Sequence, residues 1–122
     1  MVRAAVGAVP VAAVGDVFVM AMYFPALGDY EMDNHVVEYV QDRRIGWEPA
    51  PGRGHPAAGS PRWGQRWTFD LEPDGVDSTV VTESYDCSRV PDETRASMDQ
   101  GRVWIDAMTA TLERLDSLCT RR

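Results

Sequence analysis

Lysine is absent: all twelve basic residues among the 122 are arginine. Without a lysine amine, Schiff-base catalysis and the phosphate contact of a P-loop are excluded. Nineteen acidic residues leave a formal net charge of −7. Such a chain repels phosphate backbones and anionic headgroups unless its basic groups cluster, and no cluster is visible. Glycine-rich phosphate cradles and aromatic platforms interleaved with basic residues are missing too, which disfavours nucleic acid as a partner. Cysteine is scarce: Cys87 and Cys119 fit no metal-ligand or redox spacing and point to two buried thiols in a reducing, cytoplasmic setting, a disulfide being the other reading. The two histidines, His35 and His55, lie in no HExxH or Cys/His arrangement, so neither a metal nor another cofactor is expected. No nucleophile elbow surrounds Ser60, Ser84 or Cys87, which sets hydrolase chemistry aside.

Long apolar runs are also lacking. The opening "MVRAAVGAVPVAAVGD" is too short to cross a bilayer, so no stable membrane insertion is expected. As a secretory signal it has a thin charged region and is split by Pro10; the other readings of residues 1–13 are a first strand or an unstructured lead-in.

What is present suits one soluble domain, with 44% hydrophobic and 25% charged residues and enough length to bury roughly two-thirds of its unfolded surface. Residues 15–24, "GDVFVMAMYF", read as a strand buried on both sides, with Phe18, Met20, Met22 and Phe24 on one face and Val17, Val19 and Tyr23 on the other. A strand over 35–40, the turn "QDRR" and a strand over 44–48 make a hairpin. From Pro49 on, "PAPGRGHPAAGSP" forbids a strand ladder, because proline lacks a donor and glycine favours turns. A loop of about fifteen residues is unusually long for a compact domain and is either functional or a tolerated insertion. "QRWTFDLE" over 65–72 then alternates, with Trp67, Phe69 and Leu71 facing one way and Arg66, Thr68 and Asp70 the other. "PDGVD" turns the chain into a last strand over 78–86.

The period changes near Asp92, which can cap a helix. Met98, Ile105, Met108, Leu112, Leu115 and Cys119 fall at three- and four-residue spacings, predicting one amphipathic helix from Glu93 to Cys119, about 40 Å long. Gly101 inside it costs about 1 kcal/mol relative to alanine and either permits a close approach to a strand or leaves space for a ligand. Strands followed by a long helix give an α+β arrangement, an antiparallel sheet with the helix laid across it.

Few residues carry chemistry. Glu83 shares the phase of Val81 and Tyr85, so if Val81 faces the helix, a carboxylate with a raised pKa points into an apolar space. In the opposite phase it is solvated or pairs with Arg66 across the hairpin. Tyr85 and Tyr39 either donate to a ligand carbonyl or simply pack their rings. Trp47, Trp63, Trp67 and Trp104, with Met20, Met22, Met98 and Met108, supply adaptable apolar contacts suited to a pocket or to a plain core.

The run "GDVFVMAM", the hairpin "VVEYVQDRRIGWEP", the alternating "RWTFDLEPDGVDSTVVTESYD" and the following proline before a terminal amphipathic helix together resemble the START-like (SRPBCC) helix-grip superfamily of polyketide cyclase/dehydrase and lipid transport proteins. "ESYD" followed by Val90-Pro91 is similar to the matching strand end of its plant abscisic acid receptors. The resemblance spans residues 14–120, and it implies a ligand-binding domain over 14–122 in which a curved antiparallel sheet grips the terminal helix around an elongated cavity. A hydrophobic small molecule would sit there, with the Pro/Gly-rich loop as a movable flap. The implied lining from the strands is Phe18, Met20, Met22, Trp47, Trp67, Phe69, Val81, Glu83 and Tyr85; from the helix it is Gly101, Ile105 and Met108. The implied function is binding or transport of a lipid- or polyketide-like molecule. The alternatives are an aromatase/cyclase or dehydratase using Glu83, Tyr85 or Tyr39 as acid or base, and an incomplete domain acting with a partner chain. The family opens with a further strand and short helices, and only about thirteen residues precede the first recognisable strand here. That departure implies an exposed sheet edge through which copies could associate.

Overall fold

The computed structural model describes residues 2–6, by their backbone course, and residues 10–120. Six strands follow one another in chain order: β1 (Val2–Val6), β2 (Val17–Phe24), β3 (Gly28–Val40), β4 (Arg44–Pro51), β5 (Arg66–Pro73) and β6 (Thr79–Asp86). Each pairs antiparallel with the next, so the sheet is a meander whose spatial order is its sequence order. Two helices, α1 (Asp92–Ser97) and α2 (Ile105–Thr120), complete an α+β chain in which a curled sheet precedes a long terminal helix.

Three elements depart from the sequence expectation. β3 begins at Gly28, seven residues before His35, because Asp29, Glu31 and Asp33 alternate with Tyr30, Met32 and Asn34 and give each face its own polarity. β4 runs through two prolines to Pro51. The ladder survives them because β5 pairs only with Arg44–Trp47, which leaves that side of β4 unpaired beyond Trp47. Gly52 N donates to Glu31 O at 2.9 Å. Residues of this even phase therefore point their N–H groups at β3, while Pro49 and Pro51 turn their missing donors to the unpaired side.

The third departure is the helix. Instead of one rod from Glu93 to Cys119, α1 stops at Ser97 and a 3-10 segment, Asp99–Trp104, leads into α2. Asp99, Gln100 and Gly101 all take positive φ, at 50°, 56° and 92°, a region α-helices never use and only glycine enters without strain. Asp92 is the first helical residue, not the cap: Pro91 holds the cap position, and Asp92 bonds Arg95 instead.

A bulge between Val36 and Glu38 in β3 fixes the faces. Phe18, Met20, Met32, Val36, Trp47, Trp67 and Phe69 share the concave face, linked across the strands by Phe18–Trp47 and Trp47–Phe69 ring contacts at 5.3 and 5.6 Å. The opposite face carries charge. Arg44 reaches Glu38 at 2.6 Å and Asp70 at 2.5 Å, and Arg66 reaches Glu48 at 2.7 Å and Glu38 at 3.2 Å. Gly46 makes room for this network, since a Cβ there would meet Glu38 and Thr68. Among the described residues the buried hydrophobic side chains are few: Met32, Val36, Trp47, Ala50 and Val90.

Candidate functional site

The concave face is the only extended surface on which aromatic, sulfur and titratable side chains converge among the described residues. Its cross-strand rows follow from the register. Tyr39, Ile45, Phe69 and Glu83 lie opposite one another in one row across β3 to β6; Trp47, Trp67 and Tyr85 form the next. Three strand spacings separate Tyr39 from Glu83, about 14 Å along the sheet, so the two face the same space without touching. The bulge after Val36 is what brings Tyr39 to this face, because unbroken alternation would turn it away.

Glu83 takes the inward phase. It lies opposite Phe69 and between Val81 and Tyr85, while Arg66, the partner open to it in the other phase, bonds Glu48 and Glu38 on the far side of the sheet. Its Oε1 is buried without a hydrogen-bond partner among the described residues, and burial pushes its carboxyl above the usual range. An unpaired carboxylate in apolar surroundings holds its proton more firmly and can give or take a hydrogen bond.

Tyr85 is the hub of the helix end of the face. Its hydroxyl donates to Gln65 Oε1 at 2.6 Å and lies 3.7 Å from Met98 Sδ. Its ring sits 4.5 Å from Trp67 and 6.0 Å from Trp104, and Trp67 lies 5.7 Å from Trp104. Burial raises the phenol's pKa, and the adjacent Trp104 indole opposes the rise; Trp104 Nε1 itself lacks a hydrogen-bond partner of good geometry. Gly101 abuts this cluster, since a Cβ there would stand 3.0 Å from Tyr85 Cδ2. Of the two readings of that glycine, close approach to a strand is the one found.

Of the residues expected to line a chamber, Phe18, Met20, Met22, Trp47, Trp67, Phe69, Val81, Glu83 and Tyr85 share the concave face. Met108 is half-buried on α2, whereas Ile105, at 54% exposure, stands on the helix flank. The face is open. The two best-formed hollows lie elsewhere, around the β3–β4 turn; the larger, about 530 Å³, is lined by Val40, Arg43, Arg44, Asp70, Leu71, Glu72 and Thr82. An enclosed chamber between sheet and helix is therefore not among them.

The Pro/Gly-rich loop packs against the first half of β3. Arg53 O accepts from Glu31 N at 2.8 Å, and three further backbone bonds, His55 to Gly52, Ala58 to His55 and Ser60 to Ala57, fold it into successive turns. His55 packs its ring on Tyr30 at 5.3 Å and near Trp63 at 5.6 Å. At its far end Gly64 lies against Arg89 so closely that a Cβ would clash with the Arg89 carbonyl. Sequence reasoning missed two buried polar residues that support the face, Gln65 and Asn34. Each shares the phase of inward neighbours, Gln65 with Trp67 and Asn34 with Met32 and Val36, and that phase was the available signal.

Among the described residues no helix is long and apolar enough to cross a membrane, and no group of three or more His, Cys, Asp or Glu residues is placed to hold a metal. Neither the models of known protein families nor the curated proteins give a match to this chain. Among solved structures it is similar to the solution NMR structure of the Polyketide_cyc-like protein Cgl2372 from Corynebacterium glutamicum, with 23% identity and a TM-score of 0.46. The match covers 87% of this chain and 55% of that one, so the chain spans about half the length of the protein it resembles.

Proposed function

We propose that the concave face binds a hydrophobic small molecule, lipid- or polyketide-like, as a carrier or sequestering module. One observation carries the reading: Glu83 presents a buried, unpartnered carboxylate oxygen in a face otherwise built of Trp, Phe, Met and Tyr side chains. An unmet polar atom in apolar surroundings costs about 1–3 kcal/mol, and a ligand hydroxyl set in an apolar body would relieve that cost. Cys87 and Cys119 are free thiols, the first half-buried and the second exposed rather than both buried, and they suit a carrier acting in a reducing, cytoplasmic compartment.

The test is a titration with a long-chain alcohol and with its matched alkane, read by tryptophan fluorescence, since Trp47, Trp67 and Trp104 all report on this face. Saturable binding of the alcohol is expected, weakened about tenfold by Glu83→Leu, with the alkane indifferent to the substitution. No saturable signal from either compound and no thermal shift would remove the proposal.

A second reading, an aromatase/cyclase or dehydratase, draws on Glu83 and Tyr85 standing two residues apart on one strand face, each with its pKa raised by burial. Acid–base work on an enolisable substrate needs two such groups within reach of one ligand. Turnover of a poly-β-keto thioester, abolished by Glu83→Gln and by Tyr85→Phe alike, would favour it over simple carriage.

A further inference from the structure

We propose that two copies of this chain pair about a twofold axis, each covering the half-exposed part of the other's concave face with the exposed margins of its α2. The inference is independent of any ligand, although a ligand on that face would then be enclosed between the copies.

Surface area is the first argument. A compact monomer of 13.6 kDa exposes about 6,600 Å², whereas this chain exposes 8489 Å². The excess, about 1,900 Å², matches what one subunit of a large obligate dimer hides. A sheet whose apolar face is only half-covered along most of its rows leaves a two-layer domain short of a complete second layer.

The helix supplies the second argument. Trp104, Ile105, Met108, Leu112, Leu115 and Leu118 fall within an arc of about 140°, a stripe as wide as that of a core helix. Yet α2 has no buried residue. The middle of the stripe is half-covered, and its two margins, Ile105 and Leu118, are 54% and 53% exposed. The chain thus carries both a half-covered apolar face and the uncovered margins of a helix that approaches its own sheet mainly at β6. A second copy presents the complementary half of each, which is the self-complementarity a twofold interface requires.

Charge placement permits the approach. Asp29, Glu31, Asp33, Glu38 and Glu48 all project from the opposite face, and Glu83 is the only acid on the concave rows of β2 to β6. Two chains of net charge −7 can therefore meet concave side to concave side with most of their like charges directed away.

Sedimentation equilibrium of the full chain without ligand tests this. The expected mass is twice 13.6 kDa, falling to the single-chain value in Leu118→Glu and in Ile105→Glu, with far-UV circular dichroism retained because both positions are exposed in the single chain. Val76→Glu, at a fully exposed turn between β5 and β6, should leave the dimer intact. A wild-type chain that stays at single mass at high micromolar concentration overturns the proposal. So does a dimer that both helix variants preserve, since that would place the contact at a sheet edge.

Discussion

Glu83 concentrates the electrostatic tension of this molecule in a single side chain. Burial raises its carboxyl pKa, so the folded chain binds that proton more tightly than the unfolded chain does. The sign follows from linkage: the contribution favours folding fully at pH below the unfolded value, and it is lost as pH rises through the raised folded value. Glu83→Gln removes the ionisation. Urea midpoints of wild type and variant should coincide near about pH 4 and separate toward neutrality, the variant becoming the more stable by at most about 1 kcal/mol because the group is partly solvated. A wild type that gains on the variant as pH rises would mean that the carboxylate has found a cationic partner. That Glu83 shares a face with Val81 and Tyr85 was legible in their alternation, whereas the side that face takes is fixed by the register with Phe69 and Trp67. The lack of a partner for Glu83 was not legible, because that depends on Arg66 being drawn to Glu48 and Glu38 on the far side of the sheet.

At the scale of elements, β5 and β6 were legible because strict alternation has a period of two and nothing interrupts it. The helix was misread for a reason located in tertiary structure. Spacing from Met98 to Cys119 fits a single rod, yet Asp99 and Gln100 are held at positive φ and Gly101 is driven against the Tyr85 ring. Periodicity registers neither effect, since it carries no information on φ or on where β6 sets Tyr85. β4 shows the converse: Pro49 and Pro51 argued against a strand, and the strand exists because only one side of it is paired there. The break makes a prediction. Gly101→Ala meets both a strained φ of 92° and a Cβ contact of 3.0 Å, whereas Gly75→Ala meets a φ of 78° with nothing within 4 Å. The first should cost about 2–3 kcal/mol and the second about 1 kcal/mol in urea unfolding. Equal costs would show that the Tyr85 contact relaxes freely, and that the 3-10 segment is less firmly seated than its geometry implies.

For the molecule as a whole, few buried hydrophobic side chains among the described residues and an exposed surface well above that of a compact chain leave little to hold a monomer together. If pairing supplies the missing layer, association is coupled to folding and adds to the stability of the single chain, so stability must depend on protein concentration. Two chains of this length unfold with an enthalpy of about 170 kcal/mol, so a tenfold rise in concentration should lift the thermal midpoint by about 3 °C. A monomer gives no such rise, and neither should Leu118→Glu, whose midpoint is expected to lie below that of wild type and to stay fixed on dilution. Differential scanning calorimetry across two decades of concentration reads both. The same dependence bears on the ligand face: an alcohol that binds between paired copies should raise the midpoint of wild type by more than that of Leu118→Glu, because only the paired chain surrounds it on both sides.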